Sequence, residues 1–141
     1  MELQVVFENF PNTTSPKARW KVALSKCAQH LSIHAVLVFR FVSDAEMLEH
    51  NRAYLDHDTL TDILTFDLRD TPANEVNILI SSDRVADNAR DFNVSFEQEL
   101  FRVMCHGLLH VTGQADKTDS EAKAMRLRED ELINMFHVEP I

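Results

Sequence analysis

The chain of 141 residues contains two glycines, and both fall in one short stretch, Cys105-His106-Gly107-Leu108-Leu109-His110-Val111-Thr112-Gly113-Gln114-Ala115-Asp116. This stretch constrains the fold more than any other. Two histidines four residues apart lie on one side of a helix, about 40° apart around its axis. That spacing lets two imidazoles reach one metal ion from adjacent turns. Gly113 is a natural helix stop, because glycine accepts a left-handed backbone, and the turn that follows can return Asp116 to the same ion. The spacing therefore predicts His106, His110 and Asp116 as a metal-binding set. Gly107 falls mid-helix, where it costs about 1 kcal/mol relative to alanine, and close approach by a substrate or another backbone element is the expected reason. Cys105 beside His106, Asp119 and His137 are weaker ligand candidates. Adjacent helical positions such as 105 and 106 point about 100° apart.

The rest of the chain reads as one domain, residues 1–141, large enough to bury a core without staples. Residues 2–8 alternate as a strand. Ser15 and Pro16 then open a helix whose stripe is Trp20, Ala23, Leu24, Cys27, Ala28 and Leu31. Trp20 reads as a core anchor, not a base-stacking platform. Residues 35–42 form a nearly continuous apolar run, the pattern of a central strand covered on both faces. Ser43 and Glu46 have capping-box spacing and start a helix reaching about Tyr54. Residues 62–66 and 76–80 are strands joined by the turn 70–74, which makes them antiparallel neighbours. Ser82 is expected to cap a helix carrying Val85, Ala89 and Phe92. Ser95 with Gln98, and Thr118 with Glu121, start the last two helices. The order β-α-β-α-β-β-α-α-α predicts an α+β fold: a small mixed four-stranded sheet packed with about five helices, one of them a metalloprotease-like metal helix.

Composition narrows the function classes. A formal charge of −9 argues against broad, nonspecific nucleic-acid binding, which depends on basic residues, but leaves room for a local basic groove. Lys17, Arg19, Lys21, Arg40, Arg52, Arg84, Arg90 and Arg102 are the cations considered for that role, and none forms a dense run. Two cysteines, Cys27 and Cys105, are too few for a disulfide scaffold and read as buried thiols. The first residues lack signal-peptide character, and the longest apolar run, Ala35 to Phe39, is far too short to span a membrane. The expectation is a cytoplasmic protein with no membrane contact.

Three blocks together resemble the YbeY family of bacterial metal-dependent endoribonucleases tied to ribosomal RNA maturation. Residues 51–66, from Asn51 through Tyr54, Asp58, Thr61 and Asp62 to Phe66, are similar to the family's Asn-x-x-Tyr-Arg-x-x-Asp-x-x-Thr-Asp-Val-Leu-Ser-Phe segment. Val76-Asn77-Ile78-Leu79-Ile80-Ser81 is similar to its Gly-Asp-Ile-x-Ile-Ser strand. The histidine stretch resembles His-Gly-x-Leu-His-Leu-x-Gly-Tyr-Asp-His. The sequence departs from the family at four places: Leu55 stands for arginine, Asn77 for aspartate, Gln114-Ala115 for Tyr-Asp, and Asp116 for the third histidine. Carboxylate oxygen binds zinc at about the distance of imidazole nitrogen, so the substitution at 116 preserves a ligand. Its added charge makes the bound ion less Lewis-acidic and leaves manganese or another oxygen-favouring divalent ion as an alternative to zinc.

The resemblance implies a metal-dependent endoribonuclease with one zinc per chain. Its expected partners are ribosomal RNA and the ribosome or ribosome-associated proteins, not DNA. Three protein ligands would leave an open position for a reactive water. The glutamate of His-Glu-x-x-His peptidases is absent, since Gly107 stands there, so no general base is named. Thr61, Asp62 and Ser81 are candidates to line the cleft or support the ligands. Strand-start hydrogen bonding for Thr61 and Asp62, and helix capping for Ser81, are the competing roles. His57, with Asp56 and Asp58, reads as a solvated loop. Two other functions stay open: a non-cleaving, metal-stabilised ribosome-assembly binding protein, and a metal hydrolase of a non-nucleic-acid substrate.

Overall fold

The computed structural model describes residues 3–55 and 61–138. Four strands, β1 (Gln4–Glu8), β2 (Val36–Val42), β3 (Ile63–Leu68) and β4 (Glu75–Ser81), form one sheet in the order β1-β2-β4-β3. β1 and β4 both run parallel to β2, whereas β3 pairs antiparallel with β4 at the edge. Five helices complete the described residues: α1 (Lys17–His30), α2 (Asp44–Leu55), α3 (Ser82–Asp91), α4 (Phe96–Val111) and α5 (Asp119–Met135). This is the α+β arrangement and element order that the sequence predicts.

Strand alternation divides the sheet into two unequal faces. Leu37, Phe39 and Phe41 of β2 register with Val76, Ile78 and Ile80 of β4, and all six are buried in the main core against α1 and α4. The opposite face carries Val42, Leu64 and Leu79, which pack with Met47 of α2 in a smaller cluster. β2 is thus the central strand covered on both faces that its apolar run predicts, with the larger core on one side. Arg40 lies on this second face, half-buried, and is held by a charge-assisted hydrogen bond to Glu8.

Local signals decide most helix starts. The three capping boxes at Ser43/Glu46, Ser95/Gln98 and Thr118/Glu121 all form, each with reciprocal side-chain and backbone bonds. Two capping assignments differ from expectation. Pro16, not Ser15, occupies the cap position of α1 and supplies no side-chain bond. Ser81, not Ser82, caps α3: its Oγ accepts from the Arg84 N–H at 3.2 Å and donates to Asp44 Oδ1 at 2.8 Å, tying the starts of α2 and α3 together. Phe92 is not a core residue; it is 57% exposed just beyond α3.

α4 lies against β3, the edge strand, and its glycine explains how closely. A Cβ placed on Gly107 would meet Ile63 Cδ1 at 2.9 Å and Ile78 Cγ2 at 3.3 Å. Sheet side chains, not a substrate or backbone, therefore fill the space that Gly107 leaves. The absent side chain lets the histidine helix settle onto the sheet next to the chain that carries Asp62 into β3.

Candidate metal centre

His106 and His110 project from successive turns of α4, with ring centroids 4.6 Å apart and planes inclined by 75°. The helix then ends in a Schellman turn. The Gly113 N–H donates to the His110 carbonyl at 3.0 Å, and the Gln114 N–H donates to the Leu109 carbonyl at 3.2 Å. Gly113 adopts φ +94°, in the left-handed half of the map that side chains disfavour. Arg69 donates to the Val111 carbonyl at 2.9 Å and satisfies another free end of the helix. The turn is anchored to α5 through Arg128, which donates to Gln114 Oε1 at 3.2 Å.

This turn brings Asp116 back over the helix. Its Oδ2 lies 3.2 Å from His106 Nε2 and 3.5 Å from His110 Nε2, and the three candidate ligand atoms all fall within 4.8 Å of one another. Two ligands bound to zinc at about 2.1 Å and subtending a tetrahedral angle lie about 3.4 Å apart. The spacing and the N, N, O donor set thus fit a tetrahedral ion with one position left over. Among the described residues this is the one group of three or more His, Cys, Asp or Glu side chains that converges in this way. The weaker candidates stand apart from it. Cys105 is fully buried with its thiol against Cys27, and burial pushes its pKa well up. Asp119 is exposed in the first turn of α5, and His137 is exposed beyond that helix's far end.

Sequence reading missed the residue that orients the cluster. Glu129 of α5, 4% exposed, places a carboxylate oxygen 2.6 Å from His106 Nδ1. With Nδ1–H donating to that carboxylate, the Nε2 lone pair is free to face Asp116 and an ion. Arg102 donates to Glu129 at 3.0 Å and to Asp130 at 2.7 Å, so the carboxylate is itself fixed. A signal for Glu129 did exist: it falls four residues after Met125 and three before Leu132, on the apolar stripe of α5. A carboxylate in that position requires a partner.

The two histidines have opposite electrostatics. Burial alone would lower the His106 pKa, but the Glu129 hydrogen bond and the charges of Glu129, Asp116 and Asp62 together raise it. Burial and the neighbouring His106 charge lower that of His110. Asp62 lines the same cleft, of about 360 Å³, with His106, Asp116 and Glu129. Burial raises its carboxyl pKa, partly opposed by His106 and reinforced by Glu129 and Asp116. Thr61 and Ser81 do not line that cleft. The Thr61 hydroxyl donates to the Ile63 carbonyl at 3.3 Å, a strand-start bond, and Ser81 is the buried cap of α3. Residues 56–60, including His57, lie outside the described residues.

Four of the eight cations considered for RNA contact are held in ion pairs. Arg40 pairs with Glu8, Arg84 with Asp44 and Asp87, Arg90 with Asp87, and Arg102 with Glu129 and Asp130. Arg126, passed over in the sequence, is exposed on the cleft wall with no hydrogen bond or ion pair among the described residues.

Fold and site together define an α+β protein in which two histidines of one helix and a carboxylate of the following turn converge beside an open groove, the arrangement of a single-metal hydrolase. Residues 8–137 match the family model described as endoribonuclease YbeY, and the chain belongs to that family. Curated relatives named endoribonuclease YbeY include one from Flavobacterium johnsoniae, 54% identical over 70% of this chain and 71% of the relative. Another, from Porphyromonas gingivalis, is 37% identical over 78% and 73%. The solution structure of a Thermotoga maritima protein matches with a TM-score of 0.62 and 25% identity, covering 94% of this chain and 90% of that one.

Proposed function

We propose that this chain is a metal-dependent endoribonuclease acting in ribosomal RNA maturation, with His106, His110 and Asp116 holding one divalent ion. The observation that carries the reading is the position of Asp116 Oδ2, 3.2 and 3.5 Å from the two Nε2 atoms, in a member of the YbeY family. When bound, zinc or manganese supplies Lewis acidity at a phosphoryl oxygen and activates water. Asp116 contributes a carboxylate oxygen, a donor that zinc and manganese both accept.

The chain's own groups do the rest. Glu129 holds the His106 ring in one tautomer and orientation. Asp62, which lines the same cleft as His106 and Asp116, takes the proton of the attacking water and returns it to the leaving oxygen. Arg126, exposed on the cleft wall near Glu99, offers its guanidinium to a backbone phosphate.

The test is cleavage of a structured ribosomal RNA fragment by the purified protein. Cleavage disappears with chelator, returns on adding back zinc or manganese, and is lost in His110→Ala. Equal cleavage by that variant would trace the activity to a contaminating nuclease and overturn the reading.

A further inference from the structure

Charge is unevenly distributed along this chain. Residues 9–43 contain no Asp or Glu and five of the 14 Lys and Arg, a local +5 within a protein of net charge −9. Four of the five, Lys17, Arg19, Lys21 and Lys26, lie on α1, and all four are exposed. The fifth, Arg40, is held by Glu8. On a solvated helix the two signs are commonly interleaved, where they form i,i+4 pairs. α1 carries no acid at all.

The fold sharpens this contrast. The four arginines held in ion pairs, Arg40, Arg84, Arg90 and Arg102, all lie on other elements. Lys17 and Lys26 have no hydrogen bond or ion pair among the described residues. Lys21 reaches over the Phe7 ring, with its Nζ 5.7 Å from the centroid, and keeps its charge there. Arg19 and Lys26, two turns and about 10 Å apart, share one edge of the helix, and Lys17 and Lys21 share the other. Arg19 and Lys26 also border a shallow groove whose far wall is Met135, Phe136 and His137.

This helix has little apolar surface to offer a partner. Trp20, Ala23, Leu24, Cys27 and Ala28 are all buried in the main core, which leaves Val22 as the one large apolar side chain on the outer face. The face therefore recognises charge, and a polyanion is the ligand that charge selects. Its location suits the substrate. α1 stands on the same side of the sheet as the metal helix and packs against it. Trp20 meets Phe101 edge-on with centroids 6.1 Å apart, and the Cys27 thiol meets that of Cys105, the residue before His106. Packed helices lie about 8–10 Å apart between axes, so one RNA can touch both.

We propose that the outer face of α1 is an RNA-docking surface. Lys17, Arg19, Lys21 and Lys26 contact the sugar–phosphate backbone flanking the segment that crosses the metal cluster. Phosphate contacts position a nucleic acid without reading its sequence, so this face grips RNA by charge alone. It also accounts for how an acidic protein holds a polyanion. The proposal rests on the endoribonuclease reading and adds to it where the substrate is held.

The test compares wild type with a Lys17→Gln, Lys21→Gln, Lys26→Gln triple variant, all at exposed positions. Both are titrated in chelator with a fluorescein-labelled RNA hairpin over a series of KCl concentrations, read by anisotropy. The variant is expected to bind at least about ten-fold more weakly at low salt. Its plot of log affinity against log salt is shallower by about 2–3, since each lost phosphate contact removes about 0.7–0.9. Hairpins of unrelated sequence lose affinity equally, and Lys→Arg at the same three positions restores it. With metal added back, the glutamine variant raises KM for RNA cleavage by more than it lowers kcat. Unchanged affinity and salt slope in that variant overturn the docking face, whether or not the face binds anionic phospholipid vesicles instead. A loss confined to one hairpin sequence, or one that arginine does not restore, overturns it as well. Because binding is read without metal, an absence of cleavage by wild type would defeat the hydrolase reading and leave the binding result standing.

Discussion

The Nδ1 of His106 lies 2.6 Å from a Glu129 carboxylate oxygen, while its Nε2 faces Asp116 at 3.2 Å. One imidazole thus joins a buried carboxylate on α5 to the ligand turn after α4. Partners of this kind typically change metal affinity by about 10–100-fold when removed. Glu129→Gln keeps the side chain's size and removes its charge. It is expected to weaken zinc binding within that range, as measured by competition with a chromophoric chelator. Unchanged affinity would show that the contact does not orient the ligand.

The same contact sets the pH behaviour of the metal-free protein. Because the folded His106 pKa lies above its ordinary value, its protonated form stabilises the fold fully below about pH 6.5, and that contribution is lost as pH rises through the folded value. His110 has the opposite sign: its lowered pKa disfavours the fold as pH falls below the ordinary value. In chelator, NMR titration of the imidazole protons is expected to show His106 titrating above His110. Glu129→Gln brings His106 down and leaves a protein whose urea midpoint falls more steeply on acidification than wild type. A His106 titration indifferent to that substitution would contradict the assignment.

Arg102 links Glu129 to Asp130, and its side chain is 19% exposed. Removing one partner of a fully buried pair costs about 3–5 kcal/mol. Partial exposure places Arg102→Leu lower, at about 2–3 kcal/mol by denaturant unfolding, discounted for solvent screening. A change within about 0.5 kcal/mol, the size of ordinary surface substitutions, would mean the Glu129 charge needs no countercharge.

A methyl group on Gly113 would meet nothing within 4 Å, so the φ of +94° is the whole reason for glycine there. Gly113→Ala is expected to cost about 1–2 kcal/mol and to weaken metal binding by displacing Asp116. Gly113→Asn, which tolerates positive φ better, is expected to cost less. Equal stability of the alanine variant and wild type in thermal unfolding would remove the turn from the argument.

Much of this was legible in the sequence for local reasons. Capping boxes, the stop at Gly113 and the His-x-x-x-His spacing are all fixed within a few residues, so the chain itself records them. The apolar run of β2 likewise announced a central strand. What escaped depended on contacts between distant elements. Glu129 gains its meaning only when α5 lies beside α4, 23 residues away in sequence from His106. Arg126 stands out only because so many other arginines find acidic partners. Ser81 looked available to the cleft until its hydroxyl was found shared between α2 and α3. Gly107 pointed correctly to a close approach, but Ile63 and Ile78 of the sheet are what approach it.

Anomalous diffraction from crystals grown with zinc tests the central claim most directly. The account predicts one strong peak per chain, about 2.0–2.2 Å from His106 Nε2, His110 Nε2 and an Asp116 oxygen. A peak coordinated by other residues, or none at this cluster at saturating zinc, would contradict it.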